Sequence, residues 1–321
     1  MSDTRLVIGT RGSELALWQS SFIKTKLTGL YPHLQIELII IKTLGDKILD
    51  SPLSKIGDKG LFTKEIERAL SDKTIDLAVH SMKDVPTHLP PGLAIGAIPD
   101  REDSRDVFIS HPRKNHRQLS ALPMGATVAT GSLRRKSQLL QLRPDLKIVD
   151  IRGNLNTRLK KLEESNWDGM ILAKAGVTRL GWEGRIAEVL PFEVMLPAVG
   201  QGALAIEVRD DDDRTQQLLH PLHHEETARA VAGERSFLRF LEGGCQVPIG
   251  ARGQIEEGLF KLEAVIGSID GSRCLRGSIS GAPARSSHLG EDLAVDMLSK
   301  GAREILDEIR SLDSTSDSVE S

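Results

Sequence analysis

A chain of 321 residues, 39% apolar and 27% charged, is too long for one core and has the make-up of an ordinary water-soluble protein. Its formal net charge of −3 argues against a general nucleic-acid binder, and its two cysteines, Cys245 and Cys274, exclude a disulfide scaffold and suit a reduced compartment. No apolar run reaches membrane-spanning length, and strand-like sequence from Arg5 leaves no room for a signal peptide, so a cytoplasmic protein that meets neither nucleic acid nor membrane is expected.

Arg5-Leu6-Val7-Ile8-Gly9-Thr10 reads as a buried strand, and Ser13 is a good N-cap for a helix through Leu15, Leu17, Phe22 and Leu27. The Thr10-Arg11-Gly12-Ser13 turn between them joins free backbone N–H groups to the positive end of a helix. That is a general anion site, to which Arg11 adds a fork for carboxylate or phosphate. Gln35 to Ile41 is the next strand of a βαβ unit. Lys42 to Gly60 follows as an irregular loop with Lys42, Lys47, Lys55 and Lys59, either a solvated loop or a mobile cover for an anionic ligand. Phe62 to Leu70 is a short amphipathic helix and Ile75 to Val79 a strand. At its carboxyl end stands His80-Ser81-Met82-Lys83-Asp84-Val85-Pro86, with a hydroxyl, an ammonium and a carboxylate within four residues. The bland alternative is a surface salt-bridge turn. The carboxyl end of a buried strand, where open α/β sheets gather their binding groups, favours a site.

Ala94 to Ile98 is a strand, and the polar stretch 101–105 marks a crossover into a second half that resumes the sheet pattern at Asp106 to Ile109. Val128-Ala129-Thr130-Gly131-Ser132-Leu133-Arg134-Arg135 repeats the N-terminal plan of strand, turn and helix start. Arg134 and Arg135 oppose the helix dipole there, so anion binding explains them and local helix stability does not. Lys147 to Ile151 leads to a further helix start at Arg152-Gly153-Asn154-Leu155-Asn156-Thr157-Arg158. Together with Arg11 this places five arginines at strand-to-helix junctions, which suggests a pocket for a ligand bearing several carboxylates. Pro197 to Ala203, with Gln201, reads as a hinge of small residues, and Leu204 to Val208 as a strand returning to the first half. Asp210 to Asp213 is a solvated helix start rather than a metal site, and no metal is expected.

Glu225 to Leu241 carries a helical apolar period, and Gly243-Gly244 ends it as a C-cap. Pro248 stops the helix from resuming, so Cys245 sits at the tip of a short, stiffened loop. Burial is the ordinary fate of a free cysteine. A place after two glycines in a turn favours an attachment point or a nucleophile. Three antiparallel strands follow at Ile249 to Glu256, Leu259 to Ile269 and Arg273 to Ser280, with turns at Glu257-Gly258 and Asp270-Gly271. Cys274 falls inside the third strand as packing. One helix from about Asp292 to Ile309 closes the chain, and a disordered tail is expected over 313–321. Neither a Walker-type phosphate loop nor a Gly-x-Gly-x-x-Gly fingerprint is present, so nucleotides are not needed to explain the chain.

His80-Ser81-Met82-Lys83-Asp84, taken with Gly243-Gly244-Cys245, resembles the porphobilinogen deaminase family, also called hydroxymethylbilane synthases, and the likeness runs from about Arg5 to Ile279. The resemblance implies an α/β fold with two periplasmic-binding-protein-like, doubly wound domains around a cleft and a smaller α+β domain with a three-stranded antiparallel sheet. The corresponding boundaries are 1–102 with 203–220, then 106–196, then 225–312. It implies a monomeric transferase of tetrapyrrole biosynthesis that joins four porphobilinogen molecules head to tail and releases ammonia. By the same resemblance, a dipyrromethane cofactor hangs from Cys245 and Asp84 is catalytic. Ser81, Lys83, Thr130, Ser132, Arg134, Arg135 and Arg158 hold the cofactor. Arg11, Ser13 and Arg152 take the substrate, Lys55 and Lys59 lie on the mobile loop, and Gln201 sits near the cleft. Gly131 stands where many relatives carry serine, which removes one hydroxyl. A competing reading is a non-catalytic anion-binding receptor or sensor module. It explains two halves, a hinge and the arginines, but not Gly243-Gly244-Cys245 or a third domain.

Overall fold

The structure is a computed structural model that describes residues 4–47, 63–242 and 247–317. Strand β1 (Arg5–Thr10) feeds helix α1 (Glu14–Leu30), which buries Ala16, Gln19, Ser20, Ile23 and Leu27 at the three- and four-residue spacing of one helix face. Strand β2 (Gln35–Ile40), helix α2 (Lys64–Ser71), and strands β3 (Leu77–Ser81) and β4 (Leu93–Ala97) follow. The chain then crosses over to β5 (Asp106–Ser110), β6 (Thr127–Ala129), α3 (Leu133–Leu142), β7 (Lys147–Val149), α4 (Leu155–Glu164), β8 (Gly169–Ala173), α5 (Lys174–Arg179) and the short β9 (Glu188–Val189). It crosses back as β10 (Leu204–Arg209) and α6 (Asp213–Leu219).

The first sheet has the order β2-β1-β3-β10-β4 and the second β7-β6-β8-β5-β9. In each, four strands run parallel and one antiparallel strand arrives by a crossover from the other half, β10 between β3 and β4 and β5 between β8 and β9. This exchange makes the crossovers a two-stranded hinge. Its tightest point is Gly202, at φ +89°, where a Cβ would collide with the Glu102 carbonyl of the other crossover.

The last third forms its own layer. Helix α7 (Glu225–Phe240) lies on a sheet of β11 (Ile249–Glu256), β12 (Leu259–Gly267) and β13 (Cys274–Gly281). Phe237, Phe260, Leu262 and Ile266 fill the core between them. Glu234 of α7 is completely buried and binds both crossovers: it pairs bidentately with Arg101 at 2.6 and 3.1 Å and accepts from the Gly200 N–H at 2.6 Å. It also accepts from Gly253 of β11 at 2.7 Å, so one carboxylate joins hinge and third sheet.

Two expectations need correction. The single closing helix is two, α8 (Ser286–Met297) and α9 (Arg303–Asp317), separated by a wide turn over Leu298–Ala302 in which Gly301 takes φ 104°. The chain also stays helical to Asp317, beyond position 313 where the tail was expected to begin, because Ile305, Leu306 and Ile309 anchor α9 in the core. Among the described residues no helix is long and apolar enough to cross a membrane.

Candidate active site

Strand β3 ends at Ser81 and passes into one 3₁₀ turn, Met82–Asp84. The turn is fixed from three sides. Met82 is buried and donates its N–H to the Ala203 carbonyl at 3.0 Å. Val85 is buried behind it. Arg235 of α7 donates to the Val85 and Pro86 carbonyls at 3.0 and 2.6 Å. The Asp84 side chain is left exposed, and among the described residues it makes no hydrogen bond or ion pair. Its charge favours the protonated forms of Lys83 and Arg158. Burial nevertheless pushes the Lys83 ammonium down to about 8, with Arg135 and Arg134 adding to the effect. The Ser81 hydroxyl accepts from Gln19 Nε2 of α1 at 2.9 Å, which leaves its own proton to donate elsewhere.

Across the cleft, Thr130 Oγ1 accepts from the Ser132 N–H at 3.2 Å, and Ser132 stands at the N-cap of α3 without capping it through its side chain. Arg134 and Arg135 both turn to Asp106, the first residue of β5. Arg134 Nη1 reaches Asp106 Oδ2 at 2.7 Å and the Leu196 carbonyl at 2.7 Å. Arg135 contacts Asp106 Oδ1 through Nε and Nη2 at 3.1 and 2.7 Å. Gln201 Nε2 adds a further bond to Asp106 Oδ1 at 2.9 Å. Burial pushes the Asp106 carboxyl up, but the two guanidinium charges outweigh that and hold it well below the usual carboxylate range. Arg134 Nε is buried without a hydrogen-bond partner. Gly131 also has a local reason: a Cβ there would lie 2.7 Å from the Ile151 carbonyl oxygen and 2.8 Å from Asp150 Oδ1.

Ser81, Lys83, Arg135, Arg158 and Gln201 meet around one cavity of about 70 Å³ between the halves, where Arg179 joins them. Arg158 Nε donates to the Gly153 carbonyl at 2.8 Å, and burial lowers its pKa to about 10. Arg179 donates to the Gly202 carbonyl at 2.7 Å, lies over the Trp18 ring, and is lowered by burial to about 10. Thr130, Ser132, Arg134, Arg11, Ser13 and Arg152 do not line this cavity. Ser13 is engaged as the N-cap of α1, accepting from the Ala16 N–H at 3.4 Å. Cys245, Lys55 and Lys59 lie outside the described residues. A larger cavity of about 380 Å³ lies away from the turn, along 109–117 and 184–187, so volume alone would misplace the site. Three cations with depressed pKa values, Arg179 buried and Lys83 and Arg158 half-buried, and an unpartnered Arg134 Nε fit a group that brings carboxylates. Sequence reasoning missed Asp106, Gln19, Arg179 and Arg235. Only Arg179 carried a signal, as an arginine on the short helix after a buried strand.

Two family models match the chain: "Porphobilinogen deaminase, dipyromethane cofactor binding domain" over residues 6–217 and "Porphobilinogen deaminase, C-terminal domain" over residues 228–299. The chain belongs to the porphobilinogen deaminase family. A porphobilinogen deaminase of Chloroherpeton thalassium is 55% identical over 309 residues, covering 95% of this chain and 98% of that one. One of Syntrophobacter fumaroxidans is 52% identical over 309 residues, covering 96% and 99%. Among solved structures, the periplasmic aliphatic sulphonate binding protein SsuA from Escherichia coli aligns over 74% of this chain and 70% of that one, at 12% identity and a TM-score of 0.41. The competing receptor reading is not favoured, since the deaminase match continues through the third sheet.

Proposed function

We propose that this member of the porphobilinogen deaminase family works with a dipyrromethane held by a thioether on Cys245 and with Asp84 as its catalytic carboxylate. The activity is that of the family: a transferase that joins four porphobilinogen molecules head to tail into hydroxymethylbilane, with release of ammonia, in tetrapyrrole biosynthesis. The observation that supports the assignment of residues is the convergence of Ser81, Lys83, Arg135, Arg158 and Gln201 on one cavity beside Asp84. When bound, the dipyrromethane supplies the pyrrole carbon to which the first substrate unit is added.

In this reading Lys83, Arg135 and Arg158 neutralise the cofactor's acetate and propionate groups, and Ser81 donates its hydroxyl proton to one of them, directed by Gln19. Thr130, Ser132 and the free Nε–H of Arg134 extend the same wall. Arg11, Ser13 and Arg152 receive the incoming substrate, with Lys55 and Lys59 covering it. Gln201 acts through Asp106, whose carboxylate it helps to hold between the two arginines.

The substrate's aminomethyl nitrogen is an alkylamine of pKa ~10 and is already protonated near neutrality. It leaves as ammonia when the pyrrole nitrogen pushes its electron pair toward the departing bond, so no external acid is required. Positive charge then develops on the pyrrole N–H. In this reading the Asp84 carboxylate stabilises it, and the bonds of its turn to Ala203 and Arg235 support that role by limiting reorganisation. Cys274 is a poor alternative attachment point, since burial raises its thiol pKa. We further infer three domains with the boundaries given above, a monomer, and a cytoplasmic location.

Intact mass of the purified protein, followed by peptide mapping, tests the proposal. The expected result is an adduct of two linked pyrrole units on Cys245 and an unmodified Cys274. Active protein with a bare Cys245 would overturn it.

A further inference from the structure

Alternation along β3 sends Leu77 and Val79 toward α1, and Ala78 and His80 toward α2. The α2 side is built from Val7, Ile66, Leu70, Ala78 and Leu93, with the Arg209 guanidinium bonded to the Leu70 and Ile75 carbonyls. Within it His80 Nε2 lies 2.9 Å from Glu207 Oε2 of β10, with the two side chains 5% and 1% exposed. Glu207 Oε1 is buried with no hydrogen-bond partner among the described residues.

We propose that the buried pair of His80 and Glu207 positions the catalytic turn, keeping the carboxyl end of β3 in place against the hinge strand β10. The inference rests on the reading of Asp84 as the catalytic carboxylate. Stability alone does not account for the pair, because well-packed apolar side chains often replace buried ion pairs without loss. Its place in the chain does. His80 precedes Ser81, which lines the cavity, and Ser81 pairs with Leu204, the first residue of β10 after the hinge. A bond from His80 to Glu207 therefore ties the turn that carries Asp84 to the strand through which the hinge enters the first sheet.

The test uses cofactor-loaded His80→Phe, Glu207→Gln and Asp84→Asn protein, with kcat, KM and melting temperature measured for each. His80→Phe should lower kcat about 10–100-fold with KM nearly unchanged, the mark of a displaced catalytic group. Glu207→Gln keeps the shape of the side chain but weakens the bond to His80, so kcat should fall about threefold or more, again with KM nearly unchanged. A His80→Phe enzyme that loses only melting temperature overturns the inference. So does a Glu207→Gln enzyme with wild-type kcat, which decides the matter even if His80→Phe does not fold. Slow Asp84→Asn beside either of those results sinks the positioning role alone. Fully active Asp84→Asn sinks the catalytic reading and the positioning role with it.

Discussion

At the first wall of the cleft Ser13 closes α1 by accepting from Ala16, and the neighbouring Asp84 stands exposed on a fixed turn. At the second wall the same strand-turn-helix plan recurs, yet Ser132 does not cap α3, and Arg134 and Arg135 are buried against Asp106. One wall presents charge to whatever enters. The other holds its charge in a buried network around Asp106. Such a division suits a site that keeps one anionic group permanently and receives another repeatedly. Identical local motifs thus acquire different uses from one buried aspartate that neither motif contains.

The largest expected effect breaks the second wall. Asp106→Asn leaves two buried guanidinium groups without a counter-charge and should cost about 3–5 kcal/mol of stability, read by denaturant unfolding. Arg11→Leu on the first wall should cost at most about 1 kcal/mol. The pH dependence has a definite sign. Because the Asp106 carboxyl is held below 3.8 in the fold, its stabilisation is present above the ordinary carboxylate range and lost as pH falls through the lower folded value. Equal stability of the two variants would erase the contrast between the walls.

Next in size is a rate effect without a stability effect. Asp84→Asn keeps the shape of the side chain but removes the charge opposite the developing pyrrole cation, so single-turnover rates should fall about 10²–10³-fold while unfolding midpoints stay put. Asp84→Glu should fall between wild type and the amide. An amide variant as fast as wild type would mean that the exposed carboxylate only decorates the turn.

A third pair of variants asks which wall loads the cofactor. Arg135→Leu should give folded protein that stays colourless with Ehrlich's reagent, since Arg135 lines the cavity. Arg11→Leu should colour normally and show a KM raised about tenfold or more. The reverse pattern would exchange the roles of the walls.

Much of this arrangement was legible in the chain, and the reason is local. The Ser13 cap and the placement of His80 to Asp84 at a strand end depend on neighbours within a few residues, whereas the face of α1 was misjudged, since of Leu15, Leu17, Phe22 and Leu27 only Leu27 is buried. The partner choice of Arg134 and Arg135 was not legible, because Asp106 lies 28 and 29 positions away and looks like any acidic residue opening a strand. The two-residue β9 was invisible for a related reason: Glu188–Val189 is a strand only because β5 lies beside it. The break between α8 and α9 turns on Gly301 alone, one glycine in a sequence that otherwise continues a helical period.

The smallest effect concerns Lys83, which sits between the walls. Burial holds its ammonium at about 8 in the free protein, against an ordinary 10.5. The folded chain therefore binds fewer protons than the unfolded chain between those values, and the cofactor-free protein should gain stability as pH rises through that window. A bound carboxylate has the opposite effect, since it favours the charged lysine. Cofactor assembly should then take up a proton near pH 8 and slow a few-fold on the alkaline side. Lys83→Arg keeps the charge throughout and should flatten that dependence, at some loss of fit because a planar guanidinium replaces a compact ammonium. Reconstitution rates of wild-type and Lys83→Arg apoprotein across this range measure the effect. If both slow equally with pH, the responsible proton lies elsewhere, and the lysine is a fixed charge of the second-wall kind rather than a group poised between the two.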